Sequence, residues 1–258
     1  MGLARRTASL GGLELEYFEG GEGRPLLYLH DLLGLDPAMP ALDRLTRRFR
    51  VVAPVNPGFG LTDVPSWITS VDDFAHAHLA LARRLGLDGA VMVGASLGAW
   101  VAAEIATKTT HFFGHLVLIG PFGIKVGPVD RLDIPDLFAM PQAELDRRLY
   151  AAPKTWRLDP ASKTDTELEC VARRQATLAL VGWEPFMHNP KLKHRLGTID
   201  RPTLVLRGTE DGIVSADFAA SFQHLIPGAR LETIAEAAHL PLTEQAERTV
   251  ARIIDFVG

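Results

Sequence analysis

The chain has 258 residues, 47 % of them hydrophobic, enough to bury a full-sized core in one large α/β domain, with or without an insertion. Its net charge of −4 provides no basic field, so neither nucleic acid nor an anionic membrane is expected as a partner. No apolar run approaches the ~18 residues of a spanning helix, and one cysteine, Cys170, cannot form an internal disulfide.

Residues 1–6 are basic but lack a following apolar stretch, so no secretory signal is expected, and Arg6 stands where a myristoylation motif needs Ser or Thr. Together with the absence of disulfides this predicts a cytoplasmic protein. Residues 7–10 and 13–18 flank Gly11-Gly12, a hairpin signal. Residues 25–29, Pro-Leu-Leu-Tyr-Leu, form a short continuous apolar run, as expected of a strand covered on both faces. Similar runs recur at 51–53, 90–93, 116–119 and 203–206, with a last strand predicted at 230–234. Phe74, His78, Leu81 and Leu85 mark one helical face, and Val250, Ile253, Ile254 and Val257 mark another. Strands alternating with helices imply a mostly parallel sheet covered on both sides, whose ligand site lies at the strands' C-terminal ends.

One region breaks the rhythm. Residues 122–196 contain no convincing strand, and Pro135, Pro141, Pro153, Pro160, Pro185 and Pro190 punctuate short helical pieces. That is too long for a bare loop, so it is expected to be a helical insertion overhanging the sheet edge as a lid. The division predicted is a core of residues 1–121 and 197–258 and a cap of residues 122–196.

The strand at 90–93 breaks at Gly94-Ala95-Ser96-Leu97-Gly98 and continues as an alanine-rich helix. Ser96 therefore sits on a tight strand-to-helix turn, aimed at a pocket with a helix N-terminus behind it. A lone serine in that place also fits a plain helix N-cap. A serine hydroxyl becomes a useful nucleophile only when a base takes its proton and a third group holds the base. The loop after the 203–206 strand carries Glu210 and Asp211, of which Asp211 is favoured as the acid. The loop after the last strand carries His239, giving the chain order Ser96, Asp211, His239. Gly120-Pro121-Phe122 offers no carboxylate, and Asp130 and Asp133 lie too far along.

These features resemble the α/β-hydrolase superfamily, specifically serine hydrolases with a helical cap. The resemblance covers nearly the whole chain: the elbow at Ser96, Asn56-Pro57-Gly58-Phe59-Gly60, Asp211-Gly212-Ile213-Val214, and His239-Leu240-Pro241 followed by Glu244. It implies an eight-stranded, mostly parallel sheet with helices on both faces. It also implies an oxyanion hole from the backbone N–H groups of Leu32 and Leu97, in the loop His30-Asp31-Leu32-Leu33-Gly34. There Asp31 replaces the usual glycine, either as a turn-forming residue with left-handed backbone angles or as a carboxylate near the oxyanion. Asn56 replaces the usual Asp and is read as loop structure.

His30 is expected to order the oxyanion loop, and His78 to be a satisfied core residue. His76, His111, His115, His194 and His224 show no metal-ligand spacing, so no metal is expected. Cys170 reads as a packing residue. In the insertion, Phe122, Trp183, Phe186, Met187 and His188 are candidate substrate-contacting residues, with lid core as the competing role.

The activity expected is hydrolysis of an ester-like or activated carbonyl bond in a medium-sized, largely apolar small molecule, through an acyl-enzyme and without a cofactor, by a monomer or homodimer. Carbon–carbon bond hydrolysis of a ring-cleavage product, cofactor-free perhydrolysis or haloperoxidation, and a non-catalytic ligand receptor remain alternatives.

Overall fold

The structure is a computed structural model that describes residues 2–157 and 159–258. Its eight strands are β1 (Ala4–Leu10), β2 (Leu13–Gly20), β3 (Arg24–Leu29), β4 (Phe49–Pro54), β5 (Ala90–Ala95), β6 (Phe113–Ile119), β7 (Thr203–Gly208) and β8 (Arg230–Ile234). They form one sheet in the order β1-β2-β4-β3-β5-β6-β7-β8. The β1–β2 and β2–β4 pairs are antiparallel, and every other pair is parallel. The hairpin turn is Gly11-Gly12, with φ of 60° and 94°, the left-handed angles that let a two-residue loop match the strands' twist.

Among the described residues ten α-helices accompany the sheet: α1 (Met39–Leu45), α2 (Val71–Leu85), α3 (Leu97–Lys108), α4 (Gln142–Leu149), α5 (Pro153–Trp156), α6 (Asp165–Gly182), α7 (Leu192–Arg195), α8 (Ala216–Leu225), α9 (Pro241–Glu244) and α10 (Ala246–Val257). Alternation of side chains across the pleat divides the core in two. Leu26, Tyr28, Val91 and Val93 pack with α1 and α10 on one face. Leu27, Leu29, Met92 and Leu116 pack with α2, α3 and α8 on the other. The α2 face predicted from periodicity is buried at Phe74, His78 and Leu81. A capping box at Ser70 and Asp73 starts that helix, and Gly86 in the left-handed conformation stops it. Between β6 and β7 the described residues form α4, α5, α6 and α7 and no strand.

The sheet also determines where α3 begins. A Cβ on Gly98 would lie 2.0 Å from the Leu29 carbonyl oxygen, and one on Gly94 would lie 2.3 Å from the Gly98 carbonyl oxygen. The first turn of α3 is thus pressed against the end of β3, and both glycines of the elbow are demanded by this contact. Gly98→Ala is expected to cost more than about 3 kcal/mol, because backbone and not a flexible side chain must yield. Gly86→Ala, in open space with φ of 60°, should cost only about 1 kcal/mol. Chemical denaturation of the two variants checks the contrast.

Candidate active site

Three loops at the C-terminal edge of the sheet bring the predicted residues together. Ser96 ends β5 and caps α3 with φ 53° and ψ −114°, a conformation rarely adopted by a residue with a side chain. Its N–H donates to the Ile119 carbonyl at 2.7 Å. Its hydroxyl donates to His239 Nε2 at 2.8 Å. His239 Nδ1–H in turn donates to Asp211, with Oδ2 at 3.0 Å and Oδ1 at 3.1 Å. Asp211 Oδ1 also accepts the N–H groups of Ile213 and Val214, each at 2.8 Å, so the carboxylate is aimed by its own loop. All three side chains are buried. Glu210, the competing acid, is exposed. A Cβ on Gly120 would lie 3.1 Å from the imidazole, which is why the end of β6 has no side chain there.

Around this chain of hydrogen bonds the other loops are held in place. His30 Nδ1–H donates to the Asp31 carbonyl at 2.8 Å, and its Nε2 accepts the Asn56 N–H at 2.9 Å. That pattern requires the neutral ring, and burial accordingly lowers the His30 pKa to about 4. His78 Nε2–H donates to Asn56 Oδ1 at 2.6 Å, while its Nδ1 is buried without a partner. The expectation of a satisfied core histidine is therefore met at only one of its two nitrogens. Asn56 bridges the two rings, in keeping with a loop-structure role. Leu97 opens α3, where its N–H has no partner within the helix. Leu32 lies in the turn closed by the Gly34 N–H on the Asp31 carbonyl at 3.2 Å.

Asp31 forms that turn by hydrogen-bonding its own loop, as the turn-forming reading expects, but without left-handed backbone angles. It is absent from the positive-φ residues, and Gly34, at φ 96°, supplies the left-handed angle. The carboxylate instead bends back so that Oδ1 accepts the Leu33 N–H at 2.7 Å. Asp31 is only 2 % exposed, and burial raises its pKa to about 6 despite this hydrogen bond and the nearby His239 and Arg174.

A cavity of about 1110 Å³ adjoins the site. It reaches the site at Leu32, in the turn closed by Gly34, and at Leu149, whose carbonyl accepts the His239 N–H at 3.1 Å. Leu137, Phe138, Leu145 and Leu178 make its apolar walls, and Tyr150 and Arg174 are among its polar groups. Arg174 descends from α6 and donates to the Leu33 carbonyl. Sequence reasoning did not single it out, because nothing in the sequence distinguishes Arg174 from its neighbour Arg173.

None of the five candidate substrate residues lines this cavity. Phe122 is buried and stacks on His239 with centroids 6.4 Å apart. Trp183 is 56 % exposed and packs with Phe186 against Phe138, so that pair backs a wall residue. Met187 is buried, with its N–H on the Gly182 carbonyl at 2.7 Å. His188 Nδ1–H bonds the Phe186 carbonyl at 2.9 Å. Their apolar density serves closure of the loop that returns to Gly123. Cys170 is a free, partly exposed cysteine on α6. Among the described residues no three His, Cys, Asp or Glu side chains are placed to hold a metal ion, and no helix is long and apolar enough to cross a membrane.

Burial of Asp31 has a consequence for stability. Its folded pKa lies above the ordinary carboxylate value, so folding opposes its ionisation. The stability it contributes is complete below about pH 4 and is lost as pH rises through about 6. Asp31→Asn keeps an acceptor for Leu33 without the charge. The variant should therefore gain about 1–3 kcal/mol relative to the wild type between pH 4 and 7. Denaturant unfolding at a series of pH values checks this; a difference independent of pH would contradict it.

Comparison with known proteins agrees with this architecture. Residues 26–252 match the model of the alpha/beta hydrolase family. The chain is 25 % identical to a 2-hydroxy-6-oxo-2,4-heptadienoate hydrolase from Pseudomonas putida, over 98 % of this chain and 96 % of the relative. It is 27 % identical to a 2-hydroxy-6-oxononadienedioate/2-hydroxy-6-oxononatrienedioate hydrolase from Paraburkholderia phymatum, over 96 % and 93 % of the two chains. A thermophilic esterase from Thermogutta terrifontis superposes with a TM-score of 0.76 at 24 % identity, covering 100 % of this chain and 98 % of that one. The chain belongs to the alpha/beta hydrolase family and is a hydrolase.

Proposed function

We infer that the chain is a serine hydrolase acting on an ester-like or otherwise activated carbonyl bond of a medium-sized small molecule that bears a carboxylate. The observation that carries the chemistry is the unbroken chain of hydrogen bonds Asp211–His239–Ser96 beside the cavity. Ser96 Oγ attacks the carbonyl carbon while His239 Nε2 takes its proton, and Asp211 holds the ring and stabilises the imidazolium. The N–H groups of Leu32 and Leu97 receive the oxyanion. Collapse expels the leaving group, protonated by His239, and leaves the acyl group on Ser96. Water, deprotonated by His239, then releases it. Residues 122–196 act as the cap that closes the cavity.

Arg174 supports the carboxylate. Its guanidinium lines a mainly apolar cavity, with Asp31 and Asp36 near enough to favour its charge and its one hydrogen bond among the described residues made to a backbone carbonyl. A half-buried guanidinium in that setting favours a bidentate anionic partner. Relatives named for dienoates and a dienedioate point to the same class. They also favour carbon–carbon bond cleavage as a second reading, which the same triad performs when the leaving carbon is conjugated to an electron-withdrawing group that accepts the electron pair. Rates on simple esters against vinylogous diketones separate the two.

A fluorophosphonate probe is expected to form an adduct at Ser96 in the wild type and none in Ser96→Ala, read by mass spectrometry. Failure to label folded wild type would overturn the nucleophile assignment. Asp211→Asn should lower kcat by about 10³- to 10⁴-fold with the fold intact, and near-normal turnover would remove Asp211 from the triad. Arg174→Met should reduce the preference for a carboxylate-bearing ester over its neutral analogue, measured as a ratio of kcat/KM values, by about 10- to 100-fold. An unchanged ratio would contradict the carboxylate reading.

A further inference from the structure

Two charged side chains meet at Leu33. Its N–H is taken by Asp31 Oδ1 from within the turn, at 2.7 Å. Its carbonyl is taken by Arg174, reaching down from α6. The Gly34 N–H and His30 Nδ1–H both converge on the Asp31 carbonyl, at 3.2 Å and 2.8 Å. The peptide that carries the Leu32 N–H is therefore pinned through its Asp31 carbonyl, and the two peptides that follow it are pinned by the two charged partners of Leu33. One partner is anionic and belongs to the turn, and the other is cationic and belongs to the segment between β6 and β7.

We propose that Asp31 and Arg174 are a pair of positioning residues for the oxyanion turn. Asp31 fixes the turn through Leu33, and Arg174 offsets the negative charge that this brings beside the developing oxyanion. The inference rests on the reading of Ser96 as nucleophile and Leu32 N–H as oxyanion donor. Its physical basis is the sign of the field: an ionised carboxylate in a dry site opposes a second negative charge nearby, and a guanidinium on the same residue counters it. The other titratable groups facing Asp31 are His30 beside it, Tyr28 from β3, Tyr150 after α4, and His239. The two tyrosines and the neutral His30 ring supply no positive charge there, so the guanidinium of Arg174 is the permanent cation among the groups facing Asp31. The oxyanion turn is thus complete only with α6 seated over it, which couples closure of the cap to acylation of Ser96.

The test measures Ser96 acylation by a neutral activated ester, and Ser96 labelling by a neutral fluorophosphonate, between pH 5 and 8.5. Wild type, Asp31→Asn, Arg174→Met and the double variant are compared. Arg174→Met should slow acylation of the neutral ester about tenfold at pH 7.5 with little change in KM. Adding Asp31→Asn to it should restore most of that loss, so the two effects are not additive. The rate ratio of Asp31→Asn to wild type should climb several-fold as pH rises through about 6, where Asp31 ionises. A ratio flat with pH, or additive effects, would overturn the pairing while leaving Ser96 labelled. Absence of labelling on wild type would overturn the nucleophile reading and this inference with it.

Discussion

Everything at the site depends on the strained backbone of Ser96. A φ of 53° in a residue with a Cβ persists only where the surroundings outweigh its cost, on the order of 1–3 kcal/mol. Here they do so from three directions. The Ser96 N–H is taken by β6, the first turn of α3 is pressed on β3 through Gly98, and Leu97 is wholly buried behind it. The central parallel strands thus hold the hydroxyl at hydrogen-bond distance from a histidine delivered by a loop 143 residues away in sequence.

The second constraint is electrostatic. Asp31 and Asp211 are both buried carboxylates, and each is satisfied by N–H donors from its own loop. Glu244 extends this outside the triad. It accepts the Ala238 N–H at 2.7 Å with one oxygen and the Ala151 and Ala152 N–H groups at 2.8 and 3.3 Å with the other. Burial raises its pKa, yet each oxygen still has a backbone donor. Negative charge at this edge is thus tied to loop backbones, while Arg174 brings a guanidinium to the cavity lining beside Leu33.

Much of this was legible from sequence because it follows from strands. Short apolar runs mark a parallel sheet, and the rule that ligands gather at strand ends leaves few loops in which to look for an acid and a base. Asp211 and Glu210 could not be fully separated, since neighbouring loop residues diverge in direction and only the backbone decides which turns inward. The cavity walls were not legible at all. Short, proline-broken helices have no long-range pairing rule, so the aromatic density at 183–188 signals that these residues are packed without saying against what. They pack on Phe138 and on their own returning loop. Arg173 and Arg174 illustrate the limit most sharply. About 100° apart on α6, one pairs with Asp63 and Glu169 at the surface, and the other reaches the oxyanion turn.

The end of α4 and the residues that follow it are tied to two of the site's loops. Arg148 exchanges hydrogen bonds with Gly212, both its carbonyl and its side chain engaging that residue. The Leu149 carbonyl accepts from His239, and Ala151 and Ala152 are held by Glu244. One short stretch is therefore bonded both to the loop carrying Asp211 and to the loop carrying His239. Displacing it would drag the acid and the base away from Ser96, and each broken bond would leave a buried backbone group without a partner. By contrast α6 reaches the same edge through side chains alone: Arg174 at the Leu33 carbonyl, Arg173 at the Leu61 carbonyl and Asp63, and Thr177 at the Gly58 carbonyl. Only the first of these brings a permanent cation to the turn that holds Leu32, so the charge beside that turn depends on how one side chain is seated and not on a backbone contact.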